Sequence, residues 1–111
     1  RATSHWAAKE VLPEFGAIPT EGRVVRDRNR ITGGGVTAGL DFGLAMIAEL
    51  RDATYAQGVQ LQAEYDPHPP FSAGSPGTAP AEVLELVRPM SAGFVRHAHE
   101  MARRRRRAPP A

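Results

Sequence analysis

A chain of 111 residues with a net charge of +2 has room for one domain of ordinary size or for a piece of a larger one. It contains no cysteine, which excludes disulfides, thiolate metal sites and a thiol nucleophile within these residues. No apolar stretch has the length of a membrane span or the layout of a signal peptide, so the chain reads as soluble, and its first residue, Arg1, reads as a cut N-terminus. The charge is uneven. Five of the fourteen cations are Arg103, Arg104, Arg105, Arg106 and Arg107, and the remainder of the chain is net acidic.

Residues 1–5 are too brief to classify. From Trp6 a helical pattern with Val11, Leu12 and Phe15 begins, and Pro13 removes one backbone bond inside it, so the helix is short or kinked. Gly16 is a natural C-terminal stop. After a loop over 17–22, Arg23-Val-Val-Arg-Asp27, the turn Arg28-Asn29-Arg30 and Ile31-Thr32 read as a small hairpin, with Asn29 supplying a positive φ.

Ile31-Thr-Gly-Gly-Gly-Val-Thr-Ala-Gly39 then runs into Leu40-Asp-Phe-Gly-Leu-Ala-Met-Ile-Ala-Glu-Leu50, where a helical pattern takes over. Val36, Leu40, Leu44 and Ile47 form one stripe, and Phe42 and Met46 a second. A helix apolar on two sides is a buried one, so this is the expected central pillar. Thr37 is the candidate N-cap, and Asp41 complements the positive helix end. The three glycines allow positive φ or the close approach of another group. An anion site on the helix amides is the competing reading, but the stretch fits neither the phosphate-loop nor the dinucleotide pattern, and a ligand-free strand-to-helix turn is favoured.

Asp52 caps a second helix running to about Glu64, with Ala53, Ala56, Val59 and Ala63 on one side. Residues 65–77 hold four of the ten prolines and form an arm or surface loop. Thr78 is a candidate cap for a final helical region over 81–107, and 108–111 is a tail. In that region Val83, Val87, Met90, Phe94, Ala98 and Met101 make an amphipathic stripe, and Pro89 and Gly93 predict a kink or two shorter helices.

Four stretches in register resemble a known family: Ala2-Thr-Ser-His-Trp6, Arg23-Val-Val-Arg-Asp27, Ile31-Thr-Gly-Gly-Gly-Val-Thr-Ala-Gly-Leu-Asp-Phe42, and Glu64-Tyr-Asp-Pro-His-Pro-Pro-Phe71 with Ala73-Gly-Ser-Pro76. In this order they are similar to the C-terminal half of the ThiJ/PfpI superfamily, within the class I glutamine amidotransferase-like group, and specifically to its isonitrile hydratase-like branch. The resemblance covers residues 1–80. It implies an α/β fold, the C-terminal half of a flavodoxin-like three-layer sandwich, helix-rich as an isolated chain. The full-length parent it implies is a cytoplasmic homodimer that acts on a small molecule and is a hydro-lyase without metal or organic cofactor. Members of this branch hydrate an isonitrile to an N-substituted formamide through a cysteine on a strand-to-helix elbow, assisted by an acid from near the N-terminus. Neither group is present in this chain, so it is expected to be inactive alone, with its sheet edges exposed. By the same resemblance Thr3, His5, Gly33, Gly34, Gly35, Val36 and Thr37 line the pocket, with the glycine bend closing over His5. The family pattern places a glycine before Asn29, where this chain has Arg28.

Each candidate has a plainer reading beside it. His5 is either a proton carrier of the pocket or a hydrogen-bonded structural histidine next to Trp6. His68 lies between prolines and faces solvent, and His97 and His99 fall on different helix faces, so no metal pair forms. The run 103–107, with no interleaved aromatic, makes a poor nucleic-acid site and reads better as a solvated helix end suited to the C-terminal dipole. A non-catalytic sensory or interaction module of the same fold is the alternative function.

Overall fold

The computed structural model describes residues 1–109. It contains a 3-10 helix (Lys9–Phe15), strands β1 (Val24–Asp27) and β2 (Arg30–Gly33), and helices α1 (Ala38–Leu50), α2 (Ala53–Gln62) and α3 (Ala81–Arg107). β1 and β2 pair antiparallel, with Val24 opposite Gly33 and Asp27 opposite Arg30. A separate parallel bridge joins Ala2 to Pro19: the Ala2 amide donates to the Ile18 carbonyl, and the Thr20 amide donates to that of Ala2. This bridge stands apart from the β1–β2 hairpin and belongs to no sheet among the described residues.

Local chemistry explains the elements. In the hairpin turn the positive φ falls on Arg28 (58°), not on Asn29 as the sequence suggests. This is the position where the family pattern has glycine, because the first central residue of a tight hairpin turn takes positive φ. Gly16, at φ 78°, ends the 3-10 helix, and the amides of Gly16 and Ala17 donate to the carbonyls of Pro13 and Leu12. Asp52 caps α2, its carboxylate accepting from the Tyr55 amide at 2.7 Å. At the other end of α2, Glu64 adopts φ 51°, its amide donates to Leu61 and that of Tyr65 to Gln60. That is a Schellman stop with glutamate at the left-handed position.

Three expectations are corrected. Thr37 has helical φ and ψ and makes no side-chain cap; instead the amides of Ala38, Gly39 and Leu40 donate to the carbonyls of Gly35, Val36 and Thr37, a tight lead-in turn that satisfies the helix end. These amides are therefore not free to hold an anion. The pillar is only partly covered, by the hairpin and by α2: Ala38 is fully buried against the hairpin, while Val36, Leu40 and Leu50 are exposed. Third, α3 runs unbroken through Pro89, and it begins after Pro80 rather than at a Thr78 cap. Its covered stripe is Leu84, Ser91, Val95, Ala98, His99 and Ala102, the side packed on the 3-10 helix, whereas Met90 (80% exposed) and Phe94 (64%) lie outside. A stripe of large apolar residues marks a face that needs a partner, and here that partner is not the 3-10 helix.

Burial is thin and scattered. The buried apolar residues are Val11, Val25, Ala38, Ala56 and Ala102, mostly small, and no large side chain is completely enclosed among the described residues. The molecule measures 46 × 43 × 18 Å with a radius of gyration of 16.7 Å, against about 13 Å for a compact domain of this length. Its thickness is that of one helix layer with a strand layer beneath it.

Candidate functional site

The glycine bend and the N-terminal segment meet. The Thr3 amide donates to Thr32 Oγ1 at 3.0 Å, tying residue 3 to the end of β2, and the Thr32 hydroxyl in turn faces the Val25 carbonyl at 3.4 Å. Thr3 is buried, and its own hydroxyl is enclosed without a hydrogen-bond partner. Two residues on, the His5 ring lies against Gly35: a Cβ built on Gly35 would stand 3.3 Å from His5 Cδ2. His5 Nδ1 accepts from the Ala7 amide at 3.1 Å, so the neutral ring carries its proton on Nε2. Trp6 flanks it, with ring centroids 5.3 Å apart.

The seven pocket candidates separate on this geometry. Thr3, His5 and Gly35 come together. Gly33 and Gly34 face inward instead: a Cβ on Gly33 would meet Phe42 at 3.4 Å, and one on Gly34 would meet Ala38 at 3.5 Å. None of the three glycines has positive φ. They serve close approach alone, of α1 on one side and His5 on the other. Val36 is 95% exposed, and Thr37 lines a separate open cleft of about 1090 Å³ together with Arg23, Asp41, Tyr65 and Phe71. His68 lines that cleft too, with its ring largely in solvent.

Two polar clusters escape a reading of the sequence. At the start of α1 the Asp41 carboxylate receives the Arg23 guanidinium at 2.5 Å and the Tyr65 hydroxyl. Arg23 foremost, then Tyr65, holds Asp41 below the usual carboxylate range, and the same bond to Asp41 raises the Tyr65 phenol. Asp41 is thus engaged by side chains rather than by the helix end alone. The second cluster joins His99 Nδ1 to Glu14 Oε1 at 2.8 Å, with Arg106 at 3.8 Å from the other carboxylate oxygen. The hydrogen bond from His99 lowers the Glu14 carboxyl. Neither cluster leaves a signal in the sequence, because each joins residues 18 or more positions apart. Among the described residues no group of three His, Asp or Glu side chains is arranged to hold a metal ion.

No family model matches the chain. The arrangement of elements is that of part of a ThiJ/PfpI protein: a crystal structure of a ThiJ/PfpI family protein from Pseudomonas syringae superposes with a TM-score of 0.87 and 63% identity, over 91% of this chain and 42% of that one. The relationship narrows further by sequence. An isonitrile hydratase of Pseudomonas putida is 51% identical over 104 residues, which are 94% of this chain and 46% of the relative. The chain is therefore related to isonitrile hydratase-like ThiJ/PfpI proteins, its α/β structure corresponds to part of their flavodoxin-like fold, and it spans less than half their length.

Proposed function

We propose that this chain is one portion of an isonitrile hydratase-like enzyme and supplies a wall of its pocket, not its nucleophile. The observation that carries this reading is a mismatch of extents. Nearly all of the chain aligns with relatives more than twice as long, while its own thickness is only 18 Å. The exposed apolar faces of α1 and α3 and the lone parallel bridge are the surfaces that further strands would cover. In the whole enzyme, a cytoplasmic homodimer acting on a small isonitrile, a thiolate from another stretch of polypeptide attacks the substrate beside His5. His5 then offers the Nε2 proton to the reacting atoms, Gly35 leaves the space for them, and Thr3, whose hydroxyl is enclosed, backs the pocket from behind. The excess radius of gyration supports this portion reading over a self-sufficient interaction module.

The test uses a simple alkyl isonitrile and formamide detection. The 111-residue chain alone is expected to show the buffer rate. Joined to the part of the Pseudomonas putida relative that it does not cover, it is expected to hydrate the isonitrile. Turnover by the chain alone, or a folded chimera with no activity, would overturn the proposal.

A further inference from the structure

We infer that the groove between the 3-10 helix and α3 is a binding site for single-stranded nucleic acid. The arginine run 103–107 makes a poor site by itself because no aromatic side chain is interleaved with it. The fold removes that objection. It lays Trp6 and Phe15, distant in sequence, alongside the basic helix: the Arg88 guanidinium stands 5.6 Å from the centre of the Trp6 ring, and that of Arg105 stands 6.0 Å from Phe15. Beside Trp6 runs a groove of about 550 Å³ lined also by Val95, Arg88, Arg96 and Arg103, with Phe15 outside it. Among the described residues none of these three arginines has a carboxylate within ion-pair distance. They recur at intervals of eight and seven residues, so they follow one side of α3 over about 22 Å.

Unpaired guanidiniums in line beside an aromatic platform are what a flexible polyanion with flat bases needs: phosphates on the arginine edge, a base against Trp6. A duplex would present no unstacked base to the ring. Glu10 and Glu100 also line the groove, and they confine phosphates to the arginine edge. The arginines of this site take no part in the pocket at His5, while Trp6 stands between the two, its ring centre 5.3 Å from that of His5.

Trp6 is the only tryptophan, so its emission reports the groove directly. The experiment titrates the 111-residue chain with a fluorescein-labelled deoxythymidine 20-mer, following anisotropy of the label and, with unlabelled oligonucleotide, Trp6 emission. Inorganic polyphosphate and phosphatidylglycerol vesicles are the comparison probes. Saturable quenching by the oligonucleotide is expected, with affinity falling about 20-fold between 50 and 200 mM salt if three phosphates are held. Arg96→Gln with Arg103→Gln should flatten the salt slope by about 1.4. Trp6→Phe should keep binding in the anisotropy channel while Trp6→Ala weakens it about tenfold, and Glu100→Gln should tighten it. No binding at 50 mM salt would overturn the inference. So would equal affinity for polyphosphate or vesicles without quenching, or binding that survives the groove substitutions and vanishes only when 103–107 is removed.

Discussion

At the scale of single residues, left-handed backbone at non-glycine positions is the clearest local conflict. Arg28 sits at φ 58°, where an L side chain costs about 1 kcal/mol or more. Arg28→Gly is accordingly expected to raise stability by about 1 kcal/mol, read as a higher melting temperature by circular dichroism; an unchanged or lower value would contradict the turn geometry. Gly35 is the opposite case, with ordinary φ but a neighbour already at contact. A methyl there needs the His5 ring to move by a few tenths of an ångström, whereas Gly35→Val forces a larger displacement. In the reassembled enzyme Gly35→Val should lower activity on the order of 10²-fold, and Gly35→Ala much less. Equal activity of the two variants would separate Gly35 from the pocket.

Among elements, α2 shows how a helix end directs a side chain far from it. The Schellman stop at Ala63 to Tyr65 turns the chain so that the Tyr65 hydroxyl reaches Asp41 on α1, where Arg23 from the start of the hairpin joins them. Three elements are thereby tied at one carboxylate. Asp52→Ala, which removes the cap at the other end of α2, is expected to cost about 1 kcal/mol, measured by denaturant unfolding. Glu64→Gly should stabilise by a similar amount, since only the left-handed conformation is relieved and the bonds to Gln60 and Leu61 remain.

For the whole molecule, the attachment of α3 is the weak joint. It packs on the 3-10 helix through small side chains and the Glu14–His99 pair. Glu14 titrates below its ordinary range because His99 hydrogen-bonds its carboxylate. Its contribution to stability is therefore present above the unfolded-state range and lost as pH falls through the lowered folded value. Amide exchange in α3 should accelerate on acidification through that window before exchange in the hairpin does. Glu14→Gln should remove this pH dependence, and an α3 whose protection follows the hairpin at every pH would refute the joint. The same thinness bears on assembly. Small-angle scattering of the 111-residue chain should give a radius near or above 16.7 Å, well over the value for a compact domain of its length.

What the amino-acid sequence determined is local or short in range. The stop at Gly16, the cap at Asp52, the hairpin and the amphipathic character of the last helix follow from residues within a few positions of one another. The kinship follows from four motifs in register, which the relatives at 51% and 63% identity support. Tertiary structure decided the rest. It chose which face of α3 is covered, because both the apolar stripe and the small-residue stripe satisfy helical periodicity and only a neighbour distinguishes them. It assigned the triple glycine to close packing rather than to positive φ, because the deciding atoms belong to Phe42, Ala38 and His5. And it brought Trp6 to the basic helix and Glu14 to His99 across some 80 positions of chain, a separation at which sequence spacing carries no information about contact.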